Sequence, residues 1–406
     1  MKRVVVLAPE PIRPRMAGMG IRALELARAL SSEFEARLLV PNAVAEAREA
    51  AGEVPVESAA SGLGAAAARA DAAVVSGHSA DAWFRAAPEV PVAVDLYDPF
   101  PIENLHYAAA LGEETARRDR ETLARSLARG DFFLCASPEQ RLFYAGALYA
   151  SGRIGAANFA GDPELARLLA VVPFGVPAAP AAGDRARGRA AASVPADGPL
   201  ILFGGIYDWY DPGLLFDAWP LVRSAAPDAR LLFFENPNPE TTPQRAFAAA
   251  RARARRLDPA GTSIVFSPWL PYASRADLYA ASDVVVSIAS PGLESDLAYR
   301  TRLLDAAWGG VPSVTVGGGA LARELEQAGS GRSSPRDPAA LARAIGETLA
   351  ERPGCAAAAR RFARERSWDR VAAPLREWCG TAAVDPGRRP LPDVPARSFL
   401  ARLLPG

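Results

Sequence analysis

The chain has 406 residues, 50% of them hydrophobic and 23% charged, which is ample apolar material for two cores and points to two domains. Forty-six basic residues balance 46 acidic ones to a formal net charge of zero, so the basic excess of a nucleic-acid binder is missing. Lys2 is the only lysine and His78 and His106 are the only histidines, which removes a P-loop, a Schiff-base lysine and a multi-histidine metal site.

Residues 4–8 read as a strand, and residues 21–30 as a helix with Ala23, Leu26, Ala27 and Leu30 on one face. Further apolar strands are expected at 37–40, 72–76, 92–96, 132–136 and 170–172. Near-continuous apolar strands separated by helices predict a buried parallel sheet. Residues 178–198 are rich in Pro, Ala and Gly and read as a linker. The alternation then restarts, with strands expected at 200–203, 230–234, 262–266, 284–288 and 313–316. The fold class is therefore α/β with two Rossmann-like domains, 1–180 and 196–370, and ligands are expected at the carboxyl ends of the strands. From residue 357 the chain is helical again, with Pro374 predicting a kink or break, and the segment from about 370 is a candidate to pack back on the first domain. The tail ends in an apolar-basic segment at 399–404. Cys135, Cys355 and Cys379 are odd in number and far apart, so neither a disulfide framework nor a zinc site is indicated. No apolar run is long enough for a signal sequence or a bilayer span, and a soluble cytoplasmic protein is expected.

Three segments carry candidate chemistry. Gly18-Met19-Gly20-Ile21-Arg22-Ala23 formally matches the dinucleotide fingerprint. About ten residues separate it from the strand before it, where a nicotinamide or flavin site needs a tight turn, and no acidic residue follows the next strand. What remains is a glycine loop opening a helix, whose amides can approach a diphosphate or sugar, or a loop that only needs glycine's backbone freedom. Asp95 and Asp98 follow the apolar residues Val92 to Val94, with Glu103 and His106 close behind; the group holds acid–base candidates, or Asp95 or Asp98 caps the next helix. The densest cluster runs from Pro291 to Pro312. It holds Glu294 at the start of an expected helix, Arg300 and Arg302 as guanidinium forks for phosphate, and Asp305 near the helix's far end.

This last segment resembles the retaining GT-B glycosyltransferases of the large family 4. Their hallmark is Glu, seven residues, Glu, then Gly-x-Pro and a strand. Leu304-Asp305-Ala306-Ala307-Trp308-Gly309-Gly310-Val311-Pro312 is similar to its second half, with Asp305 in place of the second Glu. The likeness extends to the loop at Gly18, the stretch from Asp95 to Phe100, Phe203-Gly204-Gly205-Ile206 and the closing helix around Phe362 to Trp368. The strict first Glu position holds Leu297, and the usual Arg and Lys after the second domain's first strand are absent, which marks a divergent subgroup.

The resemblance implies two domains facing a central cleft and transfer of a sugar from a nucleotide-diphospho-sugar with retention of configuration, independent of metal and of any cofactor. It assigns Glu294 to the donor sugar, Asp305 to the ribose, and Arg300, Arg302, Gly18, Gly20 and Gly205 to donor binding. Asp95, Asp98 and His106 fall on the acceptor side. The acceptor would be a sugar, a lipid-linked molecule or a small molecule, so a position peripheral to a membrane fits as well. A GT-B sugar-nucleotide epimerase and a non-catalytic nucleotide-sugar-binding protein stay open as alternatives.

Overall fold

A computed structural model describes residues 1–390. The described chain divides into two compact units: Met1–Phe174 together with residues from Trp368 onward, and Gly175–Ser367. The linker thus belongs to the second unit.

The first unit holds seven strands: β1 (Arg3–Leu7), β2 (Glu35–Val40), β3 (Val56–Ser58), β4 (Ala72–Ser76), β5 (Val92–Asp95), β6 (Phe132–Cys135) and β7 (Leu169–Val171). They form one sheet in the order β3-β2-β1-β4-β5-β6-β7. Every pairing is parallel. The second unit holds β8 (Leu200–Gly205), β9 (Arg230–Phe234), β10 (Ile264–Ser267), β11 (Val284–Ile288), β12 (Ser313–Val316) and β13 (Gly331–Ser333). Their order is β10-β9-β8-β11-β12-β13, again all parallel. Both are doubly wound sheets, because strands such as Val4-Val5-Val6 and Val284-Val285-Val286 are apolar on both faces and need helices on each side. The order of succession reverses between β1 and β4 in one unit and between β8 and β11 in the other, and crevices open at those points outside the carboxyl ends.

Two edge strands, β3 and β13, were not expected from sequence; each is three residues long and carries a charged residue. The expected break near Pro374 lies at Ala372, between the helices Trp368–Val371 and Ala373–Thr381. Pro374 sits in the first turn of the second, where its missing N–H leaves no intrahelical bond unmade.

The chain beyond that helix straps the amino ends of β5 and β6. Asp131 accepts from the Val92 amide at 2.6 Å, the Asp385 amide at 2.8 Å and Arg388 Nε at 2.6 Å. Arg153, fully buried, donates to Asp385 at 2.6 Å, and Trp378 stacks on Phe132 with centroids 5.6 Å apart. The segment 399–404 lies outside the described residues.

Candidate functional site

In the second unit the crevice is bounded by the ends of β8 and β11. The single helix expected from Glu294 to Asp305 is two: Leu293–Leu297 and Thr301–Gly309, separated by residues 298–300. The first is one short turn, so it provides little dipole at Glu294, and Asp305 lies in the middle of the second.

Glu294 is 2% exposed and Arg300 5%. Arg300 Nη2 donates to Glu294 Oε2 at 2.6 Å, and its guanidinium lies 4.7 Å above the Tyr210 ring. Glu294 Oε1 has no partner although it is buried. A buried carboxylate oxygen without a protein donor costs about 1–3 kcal/mol unless another group supplies the hydrogen bond. Two more orphaned polar atoms lie toward the same edge of the sheet: Ser287 Oγ near the end of β11 and Asn236 Nδ2 just beyond β9. After β12, Gly317, Gly318 and Gly319 all have positive φ, at 70°, 107° and 71°. A side chain at Gly319 would meet the Ala298 carbonyl at 2.6 Å, so glycine lets this loop press against the backbone beyond Glu294. The Gly318 amide donates to Ser295 Oγ at 3.2 Å.

Arg302 is not an open fork. It donates to the carbonyls of Phe203 and Gly205, the latter at 2.9 Å, and stands 4.2 Å over Tyr210. Its guanidinium ties the frayed carboxyl end of β8 where the ladder shifts register between Leu202 and Gly204. Gly205 serves packing: a Cβ there would lie 2.8 Å from the Trp269 ring. Beyond it Tyr207 and Trp209 stack with planes 1° apart and centroids at 5.0 Å. Asp208, between them, anchors the pair by accepting from the Ala246 amide at 3.1 Å and Arg245 Nη2 at 3.0 Å. Asp305 faces Arg275 Nε at 3.7 Å, and that guanidinium lies over the rings of Tyr272 (3.7 Å) and Trp308 (4.8 Å). Burial and then the Asp305 charge push the Tyr279 phenol well above its ordinary pKa.

In the first unit the sequence candidates separate into different roles. Asp95 is 6% exposed and Arg22 is fully buried. Arg22 grips both oxygens of Asp95, from Nε at 2.6 Å and Nη2 at 2.9 Å, and also donates to the Pro173 and Val172 carbonyls. Both oxygens of the Asp95 carboxylate, read from sequence as an acid–base candidate, are thus engaged in anchoring the fingerprint helix. Of the glycines read as a loop for a diphosphate or sugar, Gly20 has its amide engaged within the unit. The Gly20 amide donates to Glu10 Oε1 at 2.5 Å, and a Cβ on Gly20 would sit 3.0 Å from that oxygen. Around Gly18, which opens the helix, nothing lies within 4 Å of a Cβ position.

Asp98 stays half-buried in the loop after β5, and Pro99 occupies the cap position of the helix Phe100–Glu103, so Asp98 is not its N-cap. Burial, with the Asp98 charge adding to it, raises the Glu10 carboxyl to about 7 despite the opposing Gly20 hydrogen bond. His106 lies half-buried on the 3-10 turn Asn104–Tyr107. The other histidine is engaged at both ring nitrogens: His78 Nε2 with Asp119 at 2.9 Å and Nδ1 with Thr122 at 3.0 Å. Asn104 Nδ2 completes the buried Asp119 at 2.7 Å. Glu10 and Arg22 were not singled out from sequence. Glu10's signal was an acidic residue in a long loop at a strand's carboxyl end, and Arg22's was a charge inside an apolar helix face.

No protein-family model matches the chain, and no curated protein does. Solved structures do match. The Anabaena protein HepE in complex with UDP-glucose superposes with a TM-score of 0.65 at 17% identity, over 94% of this chain and 99% of that one. Sucrose-phosphate synthase from Thermosynechococcus elongatus gives 0.61 at 16% identity, over 94% and 99%. A Listeria monocytogenes protein assigned as a UDP-N-acetylglucosamine 2-epimerase gives 0.54 at 15%, over 94% and 96%. These likenesses, together with the two parallel sheets, show that the chain has the GT-B glycosyltransferase fold, built from two Rossmann-like domains.

Proposed function

We propose that the protein is a glycosyltransferase that moves a sugar from a nucleotide-diphospho-sugar to an acceptor with retention of anomeric configuration. The observation that carries this reading is the buried, half-paired Glu294 at the carboxyl end of β11, in the crevice where doubly wound sheets take their ligands. Arg300 fixes one carboxylate oxygen, which leaves Oε1 to accept from a hydroxyl of the donor sugar. Asp305 binds the ribose, and the glycine loop after β12 is the backbone segment assigned to the diphosphate. The bond from the anomeric carbon to the diphosphate oxygen breaks, and a bond to the acceptor oxygen forms on the same face. The acceptor's proton passes to the departing diphosphate, which leaves as nucleoside diphosphate, so neither metal nor cofactor is required. The first unit shapes the acceptor site, with Asp98 as hydrogen-bond acceptor and His106 as its neighbour. Asp98→Asn is then expected to cut transfer without loosening isolated nucleoside diphosphate.

A second reading, a nucleotide-sugar-binding protein without turnover, draws on the internal engagement of Arg302. That leaves the diphosphate without the fork expected from sequence. A panel of UDP-, GDP-, ADP- and dTDP-sugars in a thermal-shift assay tests what both readings share, since a ligand of the folded state raises the apparent melting temperature by mass action. At least one member is expected to raise it; silence from the whole panel would remove both. Release of nucleoside diphosphate on turnover separates the two.

A further inference from the structure

A pocket of about 480 Å³ lies within the second unit, away from the crevice of Glu294. Residues of the linker, of the helices Arg275–Ala281 and Thr301–Gly309, and of the helix Arg352–Arg364 line it, among them Gly183, Tyr279, Gly309, Gly310, Arg352 and Arg360. Gly309 and Gly310 lead into β12, so the pocket belongs to the amino-terminal edge of the sheet, whereas Glu294 follows the carboxyl end of β11. Its volume falls within the range of small-molecule sites, roughly 300–1,000 Å³.

The walls are built from backbone in close contact. A Cβ on Gly183 would sit 1.9 Å from the Ala276 carbonyl oxygen, and one on Gly309 would sit 2.4 Å from Tyr279 Cβ. A Cβ on Gly310 would lie 2.4 Å from Arg360 Cζ, so that guanidinium lies directly against the Gly310 backbone. Glycine at these positions holds the pocket's shape and positions one of its two arginines.

One of the pocket's arginines, Arg352, belongs to a cluster in which guanidinium groups outnumber the carboxylate they share. Asp283 alone receives Arg185 Nη2 at 3.0 Å, Arg189 Nη2 at 3.4 Å, Arg352 Nη1 at 3.0 Å and the Leu200 amide at 2.8 Å. Three guanidinium groups share one carboxylate. Burial, and after it the adjacent Arg185 charge, hold Arg189 below the ordinary arginine pKa. Arg360 has no acidic partner among the described residues. We propose that this pocket binds a small phosphate ester, with Arg360 and Arg352 as its guanidinium forks, at a second site separate from that of the nucleotide sugar. A planar fork matches phosphate oxygens in pairs, and a dianion matches the surplus of the three-to-one cluster, which a neutral ligand would leave in place.

The test is calorimetric titration of the full chain with glucose 6-phosphate and, separately, inorganic phosphate, at ionic strength held constant with chloride. Wild type is expected to bind at least one of them, and Arg360→Gln to bind it at least about tenfold more weakly, the loss of one charge-assisted hydrogen bond. Because Arg360 is exposed, the unliganded melting temperature of that variant is expected to stay at the wild-type value, which separates lost binding from lost folding. Arg352→Gln provides the second arm, with the same direction expected. Absence of binding of both probes to wild type, or equal affinity in wild type and Arg360→Gln, would overturn the proposal.

Discussion

Arg302 shows how a side chain chosen on chemical grounds can be right in place and different in role. The sequence places a guanidinium at the carboxyl end of the second sheet, and it is there, but it donates to the carbonyls that end β8. Arg302→Ala is expected to strand these acceptors and lower stability by about 1–3 kcal/mol. Arg302→Lys should restore only part of it, because an ammonium cannot span both carbonyls as a planar fork does. Chemical denaturation of the three proteins checks this. Glu10 offers a pH test. Its folded carboxyl is raised to about 7 from 4.5, so the folded state holds the proton more tightly than the unfolded chain. Stability from this group is fully present below the unfolded value and is lost as pH rises through the folded one. Glu10→Gln, which cannot ionise but can still accept from Gly20, should therefore gain melting temperature relative to wild type between about pH 5 and pH 8. A difference that stays constant across that window would contradict the burial argument.

At the scale of elements, the strands were legible because their pattern is nearly pure: Phe132-Phe133-Leu134-Cys135 and Val284 to Ile288 are apolar on both faces. The edge strands β3 and β13 were not, since a three-residue edge strand is paired on one side only and tolerates Glu57 or Arg332. The break at residues 298–300 was hidden for a different reason. Local composition favours a continuous helix, and Gly319, which packs against the Ala298 carbonyl at this break, is distant in sequence. The C-terminal strap is also a tertiary feature. Asp131 and Arg388 are 257 residues apart, and their pairing depends on the chain returning to the first unit. With their side chains only 0% and 9% exposed, removing one partner leaves a buried charge. Arg388→Ala is expected to destabilise the first unit by about 3–5 kcal/mol, read as an earlier unfolding transition by calorimetry. An exposed control such as Arg117→Ala, whose ion pairs lie on the surface of a helix, should leave the unfolding transition close to its wild-type position.

For the whole molecule, the fold was readable from the alternation of strands and helices, and the order of motifs identified the GT-B architecture that the solved structures share. The site was readable only in part. Glu294 was singled out by its position after a strand and Asp305 by the family resemblance, whereas the commitment of Asp95 to Arg22 rests on a contact 73 residues apart. The most direct test of the account is turnover: nucleoside diphosphate released from the nucleotide sugar that binds, measured in wild type and Glu294→Gln with nucleotide affinity determined alongside. The account expects wild type to turn over and Glu294→Gln to lose roughly 100-fold or more in kcat while its nucleoside diphosphate affinity stays within about twofold, as for a group that acts on the sugar in the transition state. Full activity in Glu294→Gln, or an equal loss of nucleotide affinity and rate, would contradict it.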